Sequence, residues 1–258
     1  MNTFVYDGTF EGLLCAVFES YTRKCIPDSV VSLANYAAGL WDSILTIDTD
    51  RERADRVWKS LQCKLSAHNK QLPFHAFLYG MDAIDQAIFN FIRLAFDMPH
   101  SVDYDYANAD ILKVKQAQKV VSKEAMRTIQ FVRFQKTADD IYFAALSPAF
   151  DVIPLVTQHF LDRFKDQQWV IYDLKREYGV FYDLKEVKEI TLDNPQFSRL
   201  TGEIDTNIMK EDEASYQNLW QNYVKAVTIR ERLNLKLQLQ HMPRRYWKYL
   251  TEKQEKKG

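Results

Sequence analysis

Phe10, Leu13, Leu14, Val17, Phe18 and Tyr21 recur at i, i+3, i+4, i+7, i+8 and i+11. That spacing predicts a helix with one buried stripe. Before it, Thr3–Tyr6 is apolar and β-prone, and Asp7-Gly8 breaks the run. The chain is therefore expected to open strand–turn–helix, with Asp7 or Thr9 capping the first helical turn. Residues 28–47 carry no clear period. Arg51–Leu65 reads as a charged surface helix. Phe74–Phe96 gives the strongest signal: Phe74, Phe77, Leu78, Met81, Ile84, Ile88, Phe91, Ile92, Ala95 and Phe96 share one face of a single helix. Pro99 follows it, and a further helix is expected over Asp105–Val121.

The pattern then changes. Thr128–Lys136 and Ile141–Leu146 are short β-rich runs joined by Thr137-Ala138-Asp139-Asp140, which predicts a hairpin. Asp151 is expected to cap a helix reaching Phe164, with Pro154 tolerated in its first turn. Trp169–Leu174 and Tyr178–Leu184 read as a second strand pair. The predicted core of this region is Phe131, Phe134, Leu161, Trp169, Ile171 and Phe181. Residues 193–210 read as loop. Glu211–Leu233 is helical in pattern, with Tyr216, Leu219, Trp220, Tyr223, Val224 and Val227 on one face. Met242-Pro243 interrupts it, and Arg244–Leu250 forms a short last helix before a frayed charged tail, Lys253–Lys257. The fold class is α+β, mostly helical, with a small antiparallel β-β-α-β-β unit in the middle. The expected parts are a strand plus helical lobe over 1–122, the β-β-α-β-β unit over 123–192 and a helical segment over 193–258, forming one compact domain.

Composition narrows the classes. The chain has 258 residues, 47% of them hydrophobic, and seven Gly. A large core is therefore available, and glycine is too sparse for a phosphate-cradling Rossmann protein. Cys15, Cys25 and Cys63 are odd in number and widely spaced, which points to a reduced, cytoplasmic chain. No signal-peptide pattern and no apolar run of membrane length are present, so no membrane association is expected.

Enzyme motifs are absent. The five His are scattered, with neither HExxH nor a Cys/His ribbon, and there is no GxxxxGK[ST] or GxSxG. No metal and no cofactor are expected. Asp139-Asp140 reads as a solvated turn and Cys15 as a buried small hydrophobe.

Charge supplies the main lead. From Lys225 to Gly258 there are ten Lys or Arg against three Glu, a net of +7 in a chain of net −1, so residues 1–224 carry −8. This segregation points to an anionic partner, nucleic acid first. Within it lies His241-Met242-Pro243-Arg244-Arg245-Tyr246-Trp247-Lys248-Tyr249. Arginines fork onto phosphates and aromatic rings stack on exposed bases. Arg244, Arg245, Tyr246, Trp247 and Lys248, with Arg232 and Lys236, are the expected nucleic-acid contacts. The alternative is that Tyr246, Trp247 and Leu250 pin the last helix to the core while the cations stay solvated. A secondary basic patch is Arg127, Arg133, Arg163 and Arg176, with Arg127 and Arg133 on one face of the strand predicted over Thr128–Lys136 and its flank; ordinary surface charge is the competing reading.

These stretches together resemble a bacterial family of probable DNA-metabolism proteins. The matching residues are Tyr6 to Leu14, Met126 to Phe134, the pairs His159-Phe160 and Arg163-Phe164, Trp169 with Asp173 and Arg176, and Leu219-Trp220 with Tyr223. Arg232-Leu233-Asn234 and His241 to Leu250 complete the set, which covers the start and most of residues 80–252. The family resembles a domain fused to uracil-DNA glycosylase-like proteins. Its members accompany a radical-SAM protein for DNA modification or repair. The resemblance implies DNA and that radical-SAM protein as partners, and it brings no catalytic residues. The chain has no HPSP-like glycosylase motif and no CxxxCxxC cluster motif, its cysteines being 10 and 38 residues apart.

The expected function is thus an accessory protein of DNA repair or modification that binds nucleic acid and assists an enzyme. One alternative is a nucleobase- or nucleotide-processing enzyme with a pocket between helical and β lobes, where Arg133, His159 and Asp173 would meet. Another is an adaptor that docks an acidic protein. Whether the chain is itself an enzyme stays open at this level.

Overall fold

The computed structural model describes residues 2–38, 43–81, 84–192, 197–198, 202–205 and 207–253. The chain divides into two compact units, Met1–Ser122 and Lys123–Gly258. With 51% helix and 16% strand, the α+β class and its helical excess hold.

In the first unit, β1 (Asn2–Tyr6) leads into α1 (Phe10–Thr22). Thr9 is the N-cap, its hydroxyl accepting from the Gly12 amide at 3.0 Å, while Asp7 accepts from the Thr9 amide and hydroxyl. Gly8 makes the turn at φ +88°, open to glycine at no steric cost. The region without a clear period contains β2 (Ser29–Ser32) and β3 (Ser43–Thr46). Both pair parallel with β1, in the order β2-β1-β3. Residues 39–42, part of that region, lie outside the described residues.

The charged helix expected over Arg51–Leu65 is α2 (Arg51–Lys64); Asp50 caps it, and Ala54, Val57 and Leu61 form its buried stripe. The long helix expected over Phe74–Phe96 is instead two: α3 (Leu72–Phe77) and α4 (Ile84–Asp97). Gly80, in the left-handed region at φ +59°, ends the first. The shared apolar face persists through the break because both pieces bury it in one core, with Ile84, Ile88, Phe91 and Ile92 nearly sealed.

α5 (Ala109–Phe131) overturns the strand expected over Thr128–Lys136. Its buried positions, Ile111, Val114, Ala117, Val121, Ala125 and Thr128, keep the helical period to the end. Extending an established helix costs less than ending it, so the β-prone Thr128–Phe131 stays helical. Only β4 (Gln135–Lys136) remains extended, and it pairs antiparallel with β5 (Tyr142–Leu146) as the predicted hairpin requires.

The rest of the second unit follows from one crossover. α6 (Ile153–Arg163) links β5 to β6 (Trp169–Asp173), and these two strands pair parallel. The unit is therefore mixed, not antiparallel, since a helix between strands returns the chain in the same direction. Asp151 does not cap α6. Val152 occupies that position, and Asp151 instead accepts from the Tyr178 hydroxyl. β7 (Tyr178–Tyr182) pairs antiparallel with β6, and β8 (Val187–Ile190) adds an edge strand. Its VKEI sequence, half exposed, has too little apolar signal to read as strand. Of the predicted core, Trp169 and Ile171 are sealed, while Phe131, Phe134, Leu161 and Phe181 are half-buried.

The C-terminal helix is shorter than its pattern. α7 (Glu213–Val227) gives way to a 3-10 turn at Arg230–Arg232 and then to α8 (Leu235–His241), capped by Asn234. Arg244–Tyr249 is a 3-10 helix rather than an α-helix. Of the charged tail, residues 254–258 lie outside the described residues. No described helix is long and apolar enough to cross a membrane.

Candidate nucleic-acid interface

The closing run MPRRYWKYL divides by burial. Tyr246 and Leu250 are buried and fix the 3-10 helix to the second unit, with Tyr246 tilted against Phe131 at 5.2 Å. Trp247 is half-buried and donates its indole N–H to the Met242 carbonyl at 3.0 Å. Arg244 and Lys248 are exposed. The Arg244 guanidinium stands 6.0 Å and the Lys253 ammonium 4.9 Å from the Trp247 ring, so two cations share one indole. Some residues of the run therefore anchor it, and others are displayed to solvent.

Arg245 is also exposed, 43% of its side chain, but it is tied down by a buried partner. Its guanidinium pairs with the sealed carboxylate of Glu124 and donates to the Tyr246 hydroxyl at 3.2 Å. Glu124 also accepts from the Ala149 amide at 2.9 Å. Burial followed by hydrogen bonding to Glu124 pushes the Tyr246 phenol well above its usual value. Arg232 and Lys236 are exposed around the start of α8.

A larger feature opens beside α7. A cavity of about 620 Å³ lies between that helix and the β4–β5 hairpin, within the second unit. The hairpin side supplies Arg133, Phe134, Lys136 and Tyr142; the helix side supplies Asp212, Glu213, Tyr216, Gln217 and Trp220; Thr251 completes the lining. Tyr216 and Trp220 sit at i and i+4, on one helix face. Both rings are exposed, and the apolar face that carries them is open along Tyr216, Leu219, Trp220, Tyr223 and Val227. Periodicity reports that a face is apolar; it does not report what covers it.

A three-residue network holds Trp220. Its indole N–H donates to Glu252 Oε2 at 3.0 Å, and Arg133 grips the same carboxylate at 2.7 Å and 3.3 Å. Burial pushes the Glu252 carboxyl up, but bonds from Arg133 and Trp220 outweigh it and hold the group below its ordinary value. Tyr223 stacks on Trp220 with centroids 5.7 Å apart. Lys136 faces the Tyr142 ring at 5.2 Å and pairs with Asp140 at the exposed hairpin tip. Glu213, in the cavity lining, is 8% exposed and accepts from the Gln217 amide at 3.1 Å.

The three residues considered for catalysis occupy different surroundings. Arg133 lines the cavity. His159 is exposed on α6, edge-on to Phe160. Asp173 is sealed at the end of β6 and accepts from Arg176 Nη1 at 2.7 Å and the Lys175 amide at 2.8 Å. Burial raises the Asp173 carboxyl, against the pull of Arg176. Neither His159 nor Asp173 lines the cavity that holds Arg133. The secondary patch is likewise dispersed over local tasks. Arg133 holds Glu252, Arg176 holds Asp173, Arg163 lies over Phe164 at 5.5 Å, and Arg127 reaches the Gln240 carbonyl at 3.4 Å. With Arg127 on α5 and Arg133 in the loop after it, the shared strand face does not form.

Sequence reasoning missed Tyr142, Glu213, Tyr216 and Gln217 as cavity residues. The signal available was the clustering of aromatic residues with carboxylates at the head of α7, but the partner wall is distant in sequence.

Residues 82–252 match the family DUF4130, described as a domain of unknown function. No curated protein matches. Among solved structures, a pGpG-specific phosphodiesterase from Vibrio cholerae is similar at 12% identity and a TM-score of 0.30, covering 88% of this chain and 99% of that one.

Proposed function

The chain belongs to the DUF4130 family, a domain of unknown function, so its role has to be argued from its own chemistry, and we infer that its second unit binds single-stranded nucleic acid. The observation that carries this reading is the set around Trp247: exposed Arg244 and Lys248 on a 3-10 helix anchored by Tyr246 and Leu250, with Lys253, from the next turn, over the indole. Cations held on a rigid element meet phosphates without much ordering cost, and the open rings of α7 offer π-faces to unstacked bases.

The setting proposed is DNA repair or modification, with this chain as the accessory component. The chemistry would belong to a partner enzyme, which the resemblance implies is a radical-SAM protein acting on DNA. The enzyme alternative receives less support, because exposed His159 and sealed Asp173 lack a common reacting atom with Arg133.

The test is fluorescence anisotropy with a labelled single-stranded oligonucleotide over a salt series. Arg244→Ala with Lys248→Ala is expected to weaken binding on every sequence and to flatten the log–log salt slope by about 0.7 per lost phosphate contact. Unchanged slope and affinity would remove both residues from the interface. Co-purification of an acidic protein that survives nuclease, with no oligonucleotide binding, would replace this reading with the adaptor.

A further inference from the structure

We propose that the cavity between α7 and the β4–β5 hairpin is a nucleobase pocket that selects bases carrying an exocyclic amino group. The inference rests on the single-strand reading above and deepens it by assigning the base-reading site. The wall on α7 offers two exposed rings one helical turn apart, Tyr216 at 62% and Trp220 at 41% exposure. Exposed aromatic rings are costly to leave in water and are ready to stack on a planar partner. The opposite wall carries the half-buried Tyr142 ring, with the Lys136 ammonium 5.2 Å from it. A volume of about 620 Å³ accommodates a nucleotide.

The polar atoms decide which base. Glu213 lies nearly buried in this cavity and spends one oxygen, Oε1, on the Gln217 amide at 3.1 Å. Because that amide nitrogen donates to Glu213, the Gln217 carbonyl oxygen is left as an acceptor. Exposed Asp212 adds a second carboxylate to the lining. The α7 side is therefore rich in acceptors. Cytosine and adenine present an amino donor to such a wall, and guanine an amino and an imino donor; carboxylates accept from cytosine N4 in the same way. Thymine presents two carbonyl oxygens flanking one N–H, which sets acceptor against acceptor.

The indole is held in advance. Its N–H is fixed by Glu252, and Glu252 by two bonds from Arg133. Arg133 and Glu252 are thus positioning residues for the stacking wall, and Arg133 is not the phosphate contact. The cation on the hairpin side is the half-buried Lys136, which shares Asp140 with Lys210.

The experiment compares oligo(dC), oligo(dT) and an abasic oligomer of equal length by anisotropy with the full chain. Cytosine and thymine have nearly equal stacking area but opposite edges. Oligo(dC) is expected to bind at least about fivefold tighter than the abasic oligomer, the lower end of one stacked base, and tighter than oligo(dT). Tyr216→Ala, at an exposed helix position that folding tolerates, is expected to lose that advantage, and Tyr216→Phe to restore it. Glu213→Gln is expected to narrow the dC-over-dT preference, by weakening oligo(dC) binding and by relieving the acceptor clash with oligo(dT). Equal affinity for oligo(dC) and the abasic oligomer, or indifference to Tyr216→Ala, overturns the pocket while leaving the phosphate-binding reading intact. Failure of all three oligomers to bind overturns both.

Discussion

Arg244 and Arg245 are adjacent, carry the same charge and do different things. Arg244 is exposed over Trp247, whereas Arg245 neutralises Glu124, which only 2% exposure separates from a sealed charge. Removing Arg245 leaves that carboxylate without its cation. Solvent still reaches the guanidinium, so the expected cost of Arg245→Ala is about 1–2 kcal/mol. Urea denaturation should show that loss for Arg245→Ala and almost none for Arg244→Ala. The sequence displayed both arginines alike, because the partner of Arg245 sits 121 positions away. Glu252 gives a second residue-scale prediction. Its folded carboxyl lies below the ordinary glutamate value, so its stabilising contribution is complete above the pH at which the unfolded carboxyl titrates and is lost as pH falls through the folded value. Glu252→Gln should therefore flatten the acid limb of a stability-against-pH curve, and an unchanged limb would contradict the Arg133–Glu252–Trp220 network.

Elements were legible where one period ran unbroken through a whole segment. β1, α1 and α2 follow from local pattern and capping residues alone, as do the β6 and β7 strands. α5 did not, because the β-propensity of Thr128–Phe131 competed with a helical stripe that began nineteen residues earlier, at Ala109. β2 and β3 did not either, since parallel partners leave no short turn in the sequence. Pairing also explains Gly179, in β7 opposite Tyr172. A Cβ there would stand 2.3 Å from the Ile171 carbonyl oxygen and 2.8 Å from the Tyr172 Cα, both backbone atoms that cannot swing away. Gly179→Ala is expected to cost about 2–4 kcal/mol. By contrast, a Cβ at Gly80 meets nothing within 4 Å, so Gly80→Ala should cost only the left-handed backbone penalty of about 1–2 kcal/mol. Thermal unfolding of the two variants, Gly179→Ala falling further, checks that ordering.

Across the molecule, the charge segregation visible in the sequence survives folding only in part. Arg133, Arg176 and Arg245 are bound to Glu252, Asp173 and Glu124, each pair inside the second unit. Arg232, Lys236, Arg244 and Lys248 remain exposed at the C-terminal end. The candidate site was therefore half legible: composition located the cations, but the cavity needed the β4–β5 hairpin and α7 brought together across some seventy residues of chain. The most direct measurement is the affinity of the wild-type protein for a mixed single-stranded oligonucleotide at two or more salt concentrations. The account predicts binding whose log–log salt slope is about −1.4 or steeper, two or more phosphate contacts on a single strand. Affinity that is absent at low salt, or that does not change with salt, would contradict it.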